Sequence, residues 1–112
     1  METLVVKNFL VIKDASLDVK KFNIIIGSQG TGKSVLAKTL YLLKNLENLI
    51  KVNLVKESSY ENLNKEIKNK FISIFPEYAW RLQNFEIIYK NRDISITINN
   101  RDNLNIIFSD NL

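Results

Sequence analysis

The sequence predicts an α/β fold in which a buried strand, a glycine-rich turn and a long helix follow one another. Three patterns predict it. Residues 22–26 are almost continuously apolar, as in a strand covered on both faces. A helical stripe of leucines follows, and from Phe85 onward the apolar residues recur at every second position. With 112 residues, 46% of them hydrophobic, the chain is expected to form a single domain around one core.

Two short strands are expected before residue 22. Leu4 opens the first, which reaches Phe9, and the polar pair Lys13 and Asp14 is expected to form the turn. In the second strand apolar residues alternate with polar ones, at Ala15, Leu17 and Val19. Together these strands predict a small antiparallel unit that leads into the central strand.

Two helices are expected next. The first covers residues 35–50, with apolar residues at three- and four-residue steps at Leu36, Leu40, Leu43, Leu46 and Ile50. Residues 51–57 either continue this helix or form a connector. The second helix starts with a capping box of Ser58 and Glu61, and Pro76 ends it. Its apolar face consists of Tyr60, Leu63, Ile67, Phe71 and Ile74.

A β-meander is expected after the second helix. Three alternating runs cover residues 85–90, 94–99 and 104–109, with turn-forming residues between them. One face of the meander is apolar and the other mostly polar. The aromatic-basic residues 77–81, which precede it, could stack on a base or meet a partner, but a loop held against the core is favoured.

The turn at the centre of this plan fits the phosphate-binding pattern G-x-x-x-x-G-K-[ST], known as the P-loop or Walker A motif. It contains all three glycines of the chain. The predicted nucleotide-binding residues are Gly27, Ser28, Gln29, Gly30, Thr31, Gly32, Lys33, Ser34 and Val35. The predicted fold class is therefore the α/β half-domain of a P-loop NTPase, with antiparallel strands before the central strand and a β-meander after a second helix.

The chemistry of phosphate binding explains these residue types. Gly30 and Gly32 allow backbone N–H groups to turn towards phosphate oxygens, and the helix N-terminus adds its positive dipole end. Lys33 is expected to contact the β- and γ-phosphates, and the Ser34 hydroxyl to bind Mg²⁺. ATP and Mg²⁺ are the expected ligands. The competing interpretation is a glycine-rich turn that holds no ligand.

No catalytic residue is predicted. A P-loop ATPase also needs a Walker B strand that ends in an Asp, and the nearest candidate is the run 106–110, which ends in Asp110. This run has one residue too many before the Asp and no Glu after it. The chain also has no His and no Cys, which excludes histidine acid–base chemistry and thiol nucleophiles.

The bulk composition predicts a cytoplasmic protein without a membrane segment, since no apolar run approaches the ~20 residues of a transmembrane helix. The net charge is +4, from 16 basic and 12 acidic residues. A solvated basic surface is favoured over a dedicated nucleic-acid patch, because the lysines are spread along the chain.

The opening residues 4–14, with Lys7-Asn8-Phe9 before Val11-Ile12-Lys13-Asp14, followed by a strand and the P-loop, resemble the amino-terminal lobe of ABC-class ATPases related to SMC, RecF and OLD-family proteins. The order of elements carries this resemblance over nearly the whole chain, although only the P-loop is a specific motif. Gln29 stands where many relatives have Asn, and Gln83 is comparable with the glutamine of the family's Q-loop.

The resemblance implies that the chain is a fragment of a larger ATPase. A second, C-terminal lobe would supply the Walker B and LSGGQ-type signature motifs, and a homodimer partner would complete the ATP site. The chain would be an enzyme only as part of that assembly, which would act on DNA in repair, maintenance or defence. Two other functions remain open, namely a small P-loop kinase and a non-catalytic nucleotide-binding interaction module. A transporter ATPase subunit is a variant of the hypothesis that the chain is a lobe of a larger ATPase.

Overall fold

The computed structural model describes residues 2–19, 32–56, 60–92 and 94–110. Two strands come first, β1 (Glu2–Phe9) and β2 (Ile12–Asp18). Three helices follow, α1 (Gly32–Lys56), α2 (Tyr60–Ile74) and the short α3 (Glu77–Trp80). The described part of the chain ends with three strands, β3 (Glu86–Asn91), β4 (Ile94–Asn100) and β5 (Leu104–Asp110).

The five strands form one sheet in the order β2-β1-β3-β4-β5. All four pairings are antiparallel. Strand β1 joins the first hairpin to the meander, because Leu4 lies opposite Leu17 on one side and Tyr89 on the other. The meander continues with Tyr89 opposite Ile96 and Ile96 opposite Phe108.

One face of the sheet is covered by α1 and α2, and the core lies between these two layers. Alternate strand residues point into it, including Leu4, Val6, Ile87, Tyr89 and Ile96, all of them fully buried. At one end of the core five aromatic rings pack together, with centroid separations from 4.7 to 5.9 Å. These rings belong to Phe9, Phe71, Phe75, Trp80 and Phe85.

The predicted fold class is wrong for this structure. A P-loop NTPase half-domain has a mostly parallel sheet, whereas every described strand pair here is antiparallel. The connections explain the difference. Strands β1 and β2 form a hairpin and β3 to β5 form a meander, and such short connections impose antiparallel pairing in three of the four described pairs. The fourth pair, β1 with β3, is also antiparallel, although β2 and the helices lie between these strands in the chain. The helices α1 and α2 follow each other directly, so neither links two parallel strands among the described residues. The predicted central strand, residues 22–26, lies outside those residues.

Several element boundaries also differ from the predicted ones. Lys13 and Asp14 lie inside β2, and the hairpin turns at Leu10 and Val11 instead. Leu10 adopts a positive φ of 52° there, a conformation that the apolar side chain gave no reason to expect. For residues 51–57 the sequence left open a continued helix or a connector, and helix α1 continues through this segment as far as Lys56. The capping box of Ser58 lies outside the described residues.

Candidate nucleotide-binding site

The predicted phosphate-binding segment leads directly into a helix. Helix α1 begins at Gly32, so that the last four predicted nucleotide-binding residues, Gly32 to Val35, form its first turn. Ser34 is exposed and Val35 is partly buried. This first turn contains no acidic residue, so no carboxylate opposes an anion at the positive end of the helix dipole.

The remaining predicted contacts lie outside the described part of the chain. Gly27, Ser28, Gln29, Gly30 and Thr31 belong to the segment that the structure does not describe, and the same holds for the side chain of Lys33. Their contacts with phosphate stay a prediction. The role of Ser34 as a Mg²⁺ ligand also stays a prediction, supported by the exposure of its side chain.

The face of α1 that carries Ser34 continues as an exposed surface. Lys38 and Tyr41 lie one and two turns further along it, and Tyr41 is 67% exposed. The opposite face lies in the core, where Thr39 is fully buried and donates its hydroxyl to the Val35 carbonyl at 2.7 Å. The exposed face therefore has a fixed orientation relative to the sheet.

A shallow groove runs beside this face, between α1 and the end of α2. It has a volume of about 470 Å³ and is lined by Ala37, Lys38, Tyr41 and Ile74. The lining is almost wholly apolar apart from the Lys38 ammonium group and the Tyr41 hydroxyl. The sequence analysis assigned no binding role to Lys38 or Tyr41. The sequence did contain a sign of this surface, because Tyr41 is an aromatic residue on the polar side of the predicted helix, seven positions after Ser34.

The Walker B candidate lies on a sheet edge. Residues 106–110 belong to β5, which is the outermost of the five described strands and pairs with β4 alone among them. Ile106 is buried and Ile107 is 58% exposed, so this strand is covered on one face only, unlike the buried Walker B strand that the motif requires. The side chain of Asp110 is outside the described residues. Among the side chains that are described, no three acidic groups lie close enough together to hold a metal ion.

Gln83, compared above with the Q-loop glutamine, makes two hydrogen bonds to the β1–β2 turn. Its Oε1 accepts from the Leu10 N–H at 2.7 Å, and its Nε2 donates to the Leu10 carbonyl at 3.1 Å. These two bonds replace the backbone hydrogen bonds of strand pairing that Leu10 lacks in the turn. In this structure Gln83 therefore stabilises a turn.

Residues 77–81, for which the sequence favoured a loop held against the core, begin with the short helix α3, and Trp80 is the residue of this segment that reaches the core. Trp80 is buried and donates its indole N–H to the Phe75 carbonyl at 2.6 Å. Asn100 of β4 donates its side-chain amide to the carbonyl of Gln83 at 2.9 Å and to that of Arg81 at 3.3 Å. Tyr78 of this segment and Leu82 beyond it are exposed.

A polar cluster that sequence reasoning missed lies in the middle of α1. Glu47 is only 8% exposed, although it is a charged residue. It directly follows Leu46 of the apolar stripe. Its carboxylate accepts from Asn91 at 3.0 Å and from Tyr89 at 3.1 Å, and it pairs with Lys51 at 3.2 Å. The single hydroxyl hydrogen of Tyr89 is shared between Glu47 and Glu2, and Glu2 pairs with Lys44 at 3.1 Å.

The two central groups of this cluster have shifted pKa values. Burial by itself would raise the pKa of the Glu47 carboxyl, but the hydrogen bonds from Asn91, Lys51 and Tyr89 outweigh burial and lower it. Burial, the hydrogen bond to Glu2 and the negative charge of Glu47 all raise the pKa of the Tyr89 hydroxyl. Glu47 is therefore ionised and Tyr89 neutral at physiological pH. All polar groups of the cluster have partners, which is the condition of a structural network.

No helix of the described residues is both long enough and apolar enough to cross a lipid bilayer. The chain matches no protein-family model, and no curated protein and no solved structure is significantly similar to it. The features of this chain that indicate a function are therefore the motif at residues 27–34 and the helix and groove that follow it.

Proposed function

We propose that the chain binds a nucleoside triphosphate with Mg²⁺ through residues 27–35. The observation that carries this proposal is the position of α1, which begins at Gly32 and so places its N-terminus at the end of the glycine-rich segment. Backbone N–H groups at a helix N-terminus, together with the dipole, favour phosphate at this position.

The antiparallel sheet does not conflict with this proposal. The chemistry of the motif needs a turn with inward N–H groups, a helix N-terminus, a lysine and a hydroxyl, and the direction of neighbouring strands enters none of these. Ser34 is exposed in the first turn of α1, where a Mg²⁺ ion beside the phosphates would lie. The absence of acidic residues from that turn supports the same ligand.

Calorimetric titration of Mg-ATP into the 112-residue chain tests the proposal. We expect binding that Lys33→Ala weakens at least ~10-fold, since the ammonium group contributes a charge-assisted contact to the phosphates. Lys70→Ala is the matched control, because Lys70 is an exposed lysine on α2. A protein that binds no Mg-ATP, or binds it equally well with and without Lys33, would contradict the proposal.

We also propose, from the resemblance to ABC-class ATPases, that this binding serves a larger ATPase acting on DNA. A second lobe and a homodimer partner would then supply the hydrolytic residues. The chain alone is accordingly expected to bind Mg-ATP without releasing phosphate. Turnover by the isolated chain, measured as phosphate release or as transfer to a nucleoside monophosphate, would instead favour a self-contained enzyme such as a small kinase.

A further inference from the structure

Strand β5 is the outermost described strand at one side of the sheet, and alternate residues of β5 direct their backbone groups away from β4. The Asn100 N–H donates to the carbonyl of Phe85, which directly precedes β3, at 3.1 Å. Backbone groups of successive residues in an antiparallel strand point to opposite sides, so those of Asn99 point towards β5 and those of its partner Asn105 towards β4. By the same alternation, the N–H and C=O groups of Ile106 point outwards.

A groove lies on this outer side of β5, between the strand and α2, and has a volume of about 400 Å³. The described residues that line it are Asn105 and Ile106 of β5 with Glu61, Asn64, Lys65 and Lys68 of α2. None of the seven residues of β4, all of which are described, lines it. The Asn64 side chain donates to the Ile106 carbonyl at 3.0 Å, in agreement with the outward direction of that carbonyl.

Strand β5 does not carry the features by which many proteins protect an edge strand. Its seven residues include no Lys and no Pro. They pair with β4 one to one from Leu104 to Asp110, without a bulge. On the face of the sheet away from the helices, Ile107 is 58% exposed. An edge of this kind accepts an extended peptide as an additional strand.

The α2 side of the groove has an excess of positive charge. Glu61, Lys65 and Lys68 follow one another at steps of four and three residues, so they lie on one face of the helix. Neither lysine forms an ion pair with an acidic side chain of the described residues. Two cations against one carboxylate favour an acidic occupant. A second copy of the chain on the same edge would bring the same excess of positive charge towards this one.

We infer that the groove between β5 and α2 binds an acidic, extended peptide segment of another protein, which pairs with β5 as an additional antiparallel strand. Residues directly opposite each other in such a pair share a face of the sheet. Acidic side chains opposite Leu104 and Ile106 therefore lie towards Lys65 and Lys68, and apolar side chains between them cover Ile107. The groove includes no part of residues 27–35, so the inference is independent of the proposed nucleotide binding.

The backbone of the groove is compatible with this pairing. A carbonyl oxygen has two lone pairs, so the Ile106 carbonyl can accept a hydrogen bond from the peptide as well as the one from Asn64. Antiparallel pairing is inferred because it is slightly more stable per residue than parallel pairing and because the four described strand pairs all have it.

Fluorescence anisotropy with a labelled seven-residue peptide, as long as β5, tests the charge requirement. In this peptide valine alternates with glutamate, and in its control valine alternates with glutamine. We expect the glutamate peptide to bind about fivefold more tightly, the gain expected from two exposed ion pairs. Lys65→Gln combined with Lys68→Gln is expected to abolish this difference. Lys13→Gln combined with Lys70→Gln is the matched control, because both residues are exposed lysines on β2 and α2, outside the groove.

N-methylation of the glutamate peptide tests the strand pairing. In the antiparallel arrangement the N–H groups of peptide residues opposite Leu104 and Ile106 point towards β5, and these residues are the glutamates. We expect N-methylation of the glutamates to weaken binding at least ~10-fold, because backbone hydrogen bonds are lost. N-methylation of the valines, whose N–H groups point to solvent, is expected to leave the affinity unchanged.

Three results would overturn the inference. The first is equal binding of the glutamate and glutamine peptides, and the second is an equal effect of N-methylation at the two kinds of residue. The third is no binding of the glutamate peptide. If the chain then sediments as a dimer, a second copy occupies the edge instead of an acidic peptide.

Discussion

The Tyr89 hydroxyl lies 3.1 Å from the carboxylate of Glu47 and thereby joins the middle of the sheet to the middle of α1. Both residues are buried, Tyr89 completely. Glu47 also accepts a hydrogen bond from the neutral amide of Asn91, and its negative charge is compensated by the ion pair with Lys51. The contact fixes the rotation of α1 about its axis and therefore the direction in which the Ser34 face points.

Replacing Glu47 by Gln is expected to destabilise the fold at neutral pH by about 1 to 3 kcal/mol, the usual contribution of a charged hydrogen-bonded group. The neutral amide loses the ion pair with Lys51 and presents N–H groups to Asn91, which is itself a donor here. Urea unfolding of both proteins at neutral pH measures the difference.

The same pair of proteins tests the lowered pKa of Glu47. A carboxyl whose pKa is lower in the folded state than its ordinary value of 4.5 stabilises the fold above that pH. This contribution decreases as the pH falls through the lowered pKa. The stability difference between the parent protein and Glu47→Gln is therefore expected to shrink between neutral pH and about pH 2. A difference that stays constant over this range would contradict the shift.

Gln83→Ala is expected to destabilise the fold by about 1 to 3 kcal/mol, because the part-buried N–H of Leu10 loses its acceptor. Gln83→Glu should cost less, since a carboxylate can still accept from Leu10 N–H but cannot donate to its carbonyl. Thermal or urea unfolding of the two variants gives this order. Equal stability of Gln83→Ala and the parent protein would show that water replaces both bonds.

Phe71→Ala is expected to cost about 3 to 5 kcal/mol, as for other large-to-small changes at fully buried aromatic residues. Phe71 is 0% exposed and its ring contacts Phe9, Phe75, Trp80 and Phe85. Ile72→Ala is the control. Ile72 follows Phe71 in the chain and is 37% exposed, so its replacement should lower the free energy of unfolding much less. Urea unfolding monitored by the fluorescence of Trp80 measures both changes.

Arg92→Gly is expected to stabilise the fold by about 0.5 to 1 kcal/mol, because Arg92 has a φ of 54°, where a Cβ atom is unfavourable. The matched change Arg81→Gly should destabilise, since Arg81 has an ordinary helical φ of −60°. Both arginines are exposed, so loss of side-chain packing is small. If both variants shift the midpoint of thermal unfolding in the same direction, the backbone explanation is contradicted.

Much of the local structure could be predicted from periodicity. The alternation of Ile94, Ile96 and Ile98 predicts a strand with one buried face, and all three are buried in β4. The leucine stripe predicts the buried face of α1, and Pro76 predicts the end of α2, which ends at Ile74. These patterns are local because each reflects which side of one element meets the core.

The turn at Leu10 and the burial of Glu47 could not be predicted in this way. Leu10 forms a turn because Gln83, distant in sequence, satisfies its backbone groups. Glu47 interrupts an apolar stripe, and its burial depends on Tyr89 and Asn91 of a strand that follows two helices later. Contacts between residues so far apart leave no pattern in either local segment.

The sequence by itself determined the P-loop motif, the helix that follows it and the periodicity of each described element, since these depend on residue type and short spacing. Only the tertiary structure determined that the five described strands are all antiparallel in the order β2-β1-β3-β4-β5, and that Tyr41 and Ile74 line one groove. The physical reason is that a strand's periodicity records which face is buried and not the direction of its neighbours. Similarly, an exposed face of α1 becomes a groove only where α2 ends beside it.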